Sequence, residues 1–218
     1  DLNLKQFILS EVFEIKSLKH IDKNKLKNGD GNIPYVSQSK LNNGILKFVC
    51  DHGLEKLNSG NCISVGMNTQ VVRYQERDFY STTNLVCVRN DYLNKYVACF
   101  ICPILESILQ QKFNYSYMAL ARRISKLEIP LPATPDENPD WNMMEAYIKD
   151  QIVRIKQQEK EELKKKIEEL EVRVLPKPNI PRPTIVGKAT AYFSLGQIFP
   201  NIIRGTAIPK RIRKPGTL

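Results

Sequence analysis

The sequence predicts a mixed α/β (α+β) globular domain over residues 1–138, a long coiled-coil-type helix over 139–175, and the start of a second repeat. Three observations carry this. Short runs rich in β-branched and aromatic residues alternate with turn sequences through the first part of the chain. From Trp141 to Arg173 there is no Gly and no Pro, and apolar residues recur mostly three and four apart. Near the end the opening motif returns: Phe7, Leu9, Val12 and Phe13 align with Phe193, Leu195, Ile198 and Phe199 at a constant offset of 186 residues. That period is far too long for a solenoid and reads as a duplicated domain, cut short in its second copy. A Pro-rich linker over 176–190, with Pro176, Pro178, Pro181 and Pro183, separates the helix from this truncated repeat at 191–218.

Taken in order, strands are expected at Ile33–Val36, Ile45–Val49, 62–65, 71–74 and Leu85–Arg89. Asn42-Asn43-Gly44, Asn58-Ser59-Gly60-Asn61 and Arg89-Asn90-Asp91 are turn sequences between them. Over 92–111 the period changes, and Val97, Phe100, Ile101, Ile104, Leu105 and Ile108 fall on one helical stripe. Pro103 lies inside it, so this helix is expected to kink or to begin later. Residues 127–141, with Pro130, Pro132, Pro135 and Pro139, read as a rigid extended connector ending at Asp140, an N-cap for the long helix. At about 1.5 Å per residue that helix is a rod of roughly 50 Å. Its seam is Met144, Ile148, Ile152, Ile155, Leu163, Ile167 and Leu170, interrupted at Gln158 and Glu159, with Lys, Glu and Gln opposite. A seam this narrow calls for a partner helix, the alternative being a single charged helix standing in solvent.

The net charge of +10 is unevenly spread. Nine of the 33 basic residues lie beyond Glu171, where no acid follows, leaving 24 basic against 23 acidic residues before them. The body is therefore near neutral and the tail basic, which suits nucleic acid or an acidic protein surface. No apolar run reaches the ~20 residues of a membrane span. The five cysteines, an odd count set mostly in apolar runs, read as buried free thiols of a reducing compartment, the cytoplasm.

Motifs for chemistry are weak. Cys99 and Cys102 form a lone CxxC with no second pair, and His20 and His52 are the only histidines, too few for a zinc site at sensible spacing. Cys50-Asp51-His52 lacks a third group to orient a base. Gly29-Asp30-Gly31 is a turn, not a phosphate loop. Glu162-Leu163-Lys164 matches half of a nuclease motif but sits in the charged face of the long helix. No catalytic residue, metal ligand or cofactor is assigned to this chain. Four polar clusters look instead like a contact surface: 37–43, 70–80, 89–95 and 114–126. Arg, Asn and Gln can bond bidentately to guanine or adenine edges, and Lys and Ser commonly contact phosphate. Ordinary solvated loops have the same composition.

Several segments occur in an order that resembles a known family. They are the opening Phe7-x-Leu9-x-x-Val12-Phe13, Ile33-Pro34-Tyr35-Val36-Ser37 with Asn42-Asn43-Gly44-Ile45, and Gly60-Asn61-Cys62-Ile63-Ser64-Val65-Gly66. Tyr74-Gln75, Phe79-Tyr80, Glu128-Ile129-Pro130-Leu131-Pro132 and the helix entry at 141–149 follow. In these the chain resembles the specificity subunit of type I restriction–modification systems. The resemblance implies two target recognition domains, each reading half of a bipartite double-stranded DNA site. Between them two long helices pack antiparallel and set the spacing. It implies a methyltransferase subunit that docks on this scaffold with S-adenosylmethionine, and a motor and nuclease subunit using ATP and Mg. The expected DNA contacts, chosen by residue type and loop position, are Gln38, Lys40, Asn42, Asn43, Arg73, Gln75, Arg77, Arg89, Arg122 and Arg123. The second repeat stops early, so two chains are expected to pair their long helices as a homodimer. An assembly scaffold that reads no DNA, or the recognition portion of a fused type II restriction–methylation enzyme, are the other readings.

Overall fold

The computed structural model describes residues 3–26, 31–53 and 55–173, with side chains up to 170. They fall in two compact units, 1–168 and 169–218, the second described only over the last residues of the long helix. The expected linker and truncated repeat lie outside the described residues. In chain order the elements are β1 (Leu4–Ile8), α1 (Leu9–Val12), β2 (Glu14–Ser17), β3 (Ile33–Val36), β4 (Ile45–Val49), β5 (Cys62–Gly66) and β6 (Val72–Gln75). β7 (Tyr80–Ser81), β8 (Leu85–Arg89), α2 (Lys95–Lys112), α3 (Ala121–Ile124), β9 (Glu128–Pro132) and α4 (Trp141–Arg173) follow.

Three small sheets result. β2, β8, β5 and β6 form an antiparallel sheet in that order; β4, β3 and β7 form a second, with β3 and β7 parallel; β1 pairs with β9. All five residues of β5 are buried, because both faces of this central strand are covered. Ile63 and Val65 face the main core with Val72, Val86 and Val88, while Cys62 joins Val36, Phe79 and Leu85 on the opposite side. The repeated opening motif supplies core: Phe7, Leu9 and Phe13 are buried in the main cluster and Val12 packs against it.

α2 starts later than the period suggests, at Lys95. The Asn94 side chain caps it by accepting from the Tyr96 and Val97 amides at 2.9 and 3.1 Å. The helix runs on through Pro103, whose ring is exposed. Val97, Ala98, Ile101, Leu105 and Leu109 are its buried line. Phe100, Ile104 and Ile108 of the predicted stripe are only half-buried, and Phe100 turns its flank to Tyr147 of α4, ring centroids 5.9 Å apart.

The Pro-rich connector is part strand. β9 pairs with β1 with Pro130 opposite Gln6 and Pro132 opposite Leu4. The two prolines are two residues apart, so their missing donors fall on one edge of the strand, where an edge strand tolerates them. Asp140 caps α4 as expected, its carboxylate accepting from the Met143 amide at 2.9 Å.

The start of α4 belongs to the body. Trp141 stacks on Tyr92 at 5.6 Å and meets Phe13 edge-on at 5.7 Å. Asn94 donates to Glu145 at 2.8 Å. Met144, expected in the helix-pairing seam, is 0% exposed and sits in the main core. That expectation is corrected: the first turn emerges from the body surface, so its inward side chain is spent there. Ile148 and Ile152 are half-buried, and Ile155, Leu163, Ile167 and Leu170 are exposed. A second correction concerns the cysteines: Cys62 is buried, but Cys50, Cys87 and Cys102 are half-buried and Cys99 is exposed.

Candidate nucleic-acid interface

The segment Ser37–Gly44 is a polar loop shaped by its own backbone. Asn42, Asn43 and Gly44 take φ of 49°, 53° and 79°, the left-handed region that Asn and Gly enter at least cost. A Cβ on Gly44 would also stand 2.9 Å from the Ser37 carbonyl oxygen. This backbone requirement accounts for Asn and Gly at these positions.

The loop is pinned to β6 and the 67–69 turn. The Asn43 amide donates to the Tyr74 carbonyl at 2.8 Å, and Gln75 donates to the Asn43 carbonyl and to Ser64 Oγ, both at 3.1 Å. Arg73 reaches the Lys40 carbonyl at 3.4 Å and pairs with Glu106 at 2.7 Å. Gln38 accepts from the Asn68 amide at 2.9 Å. The anchors hold the loop at 38, 40 and 43 and leave Lys40, Leu41 and Asn42 exposed at its crest.

Around the 59–61 turn, Arg89 Nη2 donates to the Ser59 and Gly60 carbonyls at 2.6 and 3.1 Å. Gly60 lies so close to Arg77 that a Cβ there would meet its backbone at 2.5 Å. The Arg77 side chain itself is exposed. On α3, Arg123 lies over the Tyr117 ring at 3.9 Å and donates to the Met118 carbonyl at 2.8 Å, and Arg122 is exposed.

The structure thus sorts the ten sequence-chosen contacts. Gln38, Asn43, Arg73, Gln75, Arg89 and Arg123 spend side-chain bonds on shaping the surface. Lys40, Asn42, Arg77 and Arg122 are exposed, and among the described residues their side chains make no hydrogen bond or ion pair. It brings six of the ten together on the 38–43 loop and β6, places Arg77 and Arg89 at the 59–61 turn, and sets Arg122 and Arg123 apart on α3. Sequence reasoning missed Lys112, which joins Arg122, Arg123 and Lys126 around one open groove floored by Phe113 and Tyr117. Lys112 ends α2 and no local pattern singles it out.

Among the described residues, no group of three or more His, Cys, Asp or Glu side chains could hold a metal ion, and no helix is long and apolar enough to cross a membrane. Burial pushes the Cys102 thiol up to about 12. The Cys62 thiol is also raised, by its hydrogen bond to Cys87 and by burial.

Fold and surface together define a mixed α/β domain that carries a long helix, with backbone-shaped polar loops held by the Gln38, Asn43 and Gln75 side chains and a separate basic groove. Residues 2–165 match the family described as type I restriction modification DNA specificity domain. The chain belongs to that family. It is 32% identical over 145 residues to the type II restriction enzyme BgcI specificity subunit S.BcgI of Heyndrickxia coagulans, covering 65% of this chain and 42% of that protein. Its fold is similar to the crystal structure of a type I restriction–modification system S subunit from M. genitalium, with a TM-score of 0.52 at 17% identity over 78% of this chain and 43% of that one. A structure described as the basis of complex assembly and conformational transition of the type I R-M system gives a TM-score of 0.51 at 18% identity, covering 78% and 42%. The chain spans less than half the length of each of these relatives.

Proposed function

We propose that this chain is a non-catalytic specificity subunit or half-subunit that reads one half of a bipartite double-stranded DNA site. The observation that carries the reading is the 38–43 loop. The buried Gln75 amide, the Asn43 amide and a paired arginine fix its backbone, while Lys40 and Asn42 stand exposed. A pre-shaped loop lets an Asn or Lys meet a base edge without first being ordered. A methyltransferase subunit would carry S-adenosylmethionine and a motor and nuclease subunit ATP and Mg, all in the cytoplasm. The exposed Ile155, Leu163, Ile167 and Leu170 support pairing of the long helix with a second copy.

The test is selection of bound duplexes from a randomised DNA pool by the chain alone at moderate salt. A short enriched motif supports the reading; two inverted copies at a fixed gap add the helix pairing. No enrichment refutes autonomous recognition and favours a scaffold. The likeness to S.BcgI favours a second reading, service in a type II enzyme. Co-purifying partners separate the two. A separate methyltransferase subunit with a motor subunit fits the first. A single chain joining nuclease and methyltransferase domains fits the second.

A further inference from the structure

We infer that the groove between the end of α2 and α3 is the seat of the DNA sugar–phosphate backbone, gripping the duplex independently of sequence beside the base-reading loop. This rests on the DNA-reading proposal and adds residues and a role to it.

The body carries nearly balanced charge, yet the groove is lined by Lys112, Arg122, Arg123 and Lys126 with no carboxylate among its lining residues. Of these, Lys112, Arg122 and Lys126 are exposed and have no ion-pair partner among the described residues, so their charge faces solvent. Arg123 is fixed instead, stacked on Tyr117 and bonded to Met118, which holds a guanidinium edge in place. Tyr117, 48% exposed in the groove, ends a turn held by Asn114, whose side chain accepts from the Ser116 and Tyr117 amides at 3.0 and 2.9 Å. Cations interleaved with tyrosine hydroxyls suit phosphate and sugar contacts.

The groove joins the reading loop through a continuous chain of bonds. Gln38 is paired with Asn68; Asn68 Nδ2 donates to Met118 Sδ at 3.0 Å; Arg123 donates to the Met118 carbonyl. The Ala119 amide also donates to the Met67 carbonyl at 2.9 Å. One strut therefore sets the distance from basic groove to polar crest. On this reading a duplex whose base edges meet Lys40 and Asn42 runs its backbone over this groove.

The test is the salt dependence of binding by the full 218-residue chain to two labelled duplexes, one of mixed sequence and one carrying the motif selected from the random pool. Arg122→Ala combined with Lys126→Ala should lower the slope of log K against log salt by about 1.8, two phosphates at ~0.9 each. The affinity loss should then be about twelvefold larger at 0.1 M salt than at 0.4 M, equally for both duplexes. Arg122→Lys combined with Lys126→Arg should keep the wild-type slope, which separates loss of charge from loss of fold. An unchanged slope in the alanine pair, with wild-type selection intact, would overturn the groove assignment and leave DNA reading standing. A loss confined to the selected duplex would make the groove a base reader and overturn the backbone role. Failure of the wild-type chain to bind either duplex would overturn both.

Discussion

Met144→Ala separates a helix that leans on its own body from one that waits wholly for a partner. Met144 is fully buried in the main core, three residues into α4, whereas Leu163 on the same helix is 60% exposed. Truncating a buried Met to Ala removes its transfer energy and leaves a cavity, together about 2–5 kcal/mol. Taking ~3 kcal/mol, and ~2–4 °C per kcal/mol for a domain of this size, Tm should fall by roughly 6–12 °C. Leu163 is largely exposed among the described residues, and Leu163→Ala should stay within about 0.5 kcal/mol in the monomer. If the exposed seam pairs with a second copy, Leu163→Ala should lose stability only at concentrations where wild type is dimeric. Urea unfolding followed by emission of the single tryptophan reads this directly. Trp141 sits between Phe13 and Tyr92, so its environment changes when the helix leaves the body. A Met144→Ala variant within about 0.5 kcal/mol of wild type would refute the burial argument.

Two other perturbations test the assignment of roles. Arg73→Ala removes the half-buried pair with Glu106 and the bond to the Lys40 carbonyl. It should cost about 1–2 kcal/mol of stability in urea while leaving the ranking of selected duplexes unchanged. A loss of about 1–3 kcal/mol confined to one base position would instead make Arg73 a base reader. The CxxC cysteines should label unequally. Exposed Cys99 should react with iodoacetamide at pH 8, whereas Cys102, held near 12 by burial, keeps only about one thiolate in ten thousand. Its rate should climb about tenfold per pH unit as long as pH stays below that value, because a raised thiol pKa keeps the neutral form. Equal rates by peptide mass mapping at pH 8 would contradict the raised thiol of the half-buried Cys102.

By itself the sequence determined what depends on neighbours along the chain. β3, β4 and β8 have the predicted bounds, Asp140 caps α4, and Trp141–Arg173 is one helix. Asn42-Asn43-Gly44 announces its left-handed turn, because the energetic reason lies in each residue's own backbone. The family resemblance was legible for the same cause: it rests on strand, turn and cap signatures in order. Only the tertiary structure decided where side chains end. Gln75 and Arg89 have the composition of base readers, yet Gln75 is buried under Asn43 and Arg89 clamps the 59–61 turn. Nothing local distinguishes them from Lys40 or Arg77. Met144 obeys the seam's period and still faces the core. Lys112 and Lys126, far apart in sequence, share a groove because α2 ends where α3 begins to return. Short-range periods and caps fix the elements. Which faces meet is set by long-range packing of β1 on β9 and α2 on the four-stranded sheet, and that packing assigns each polar side chain to scaffold or to surface.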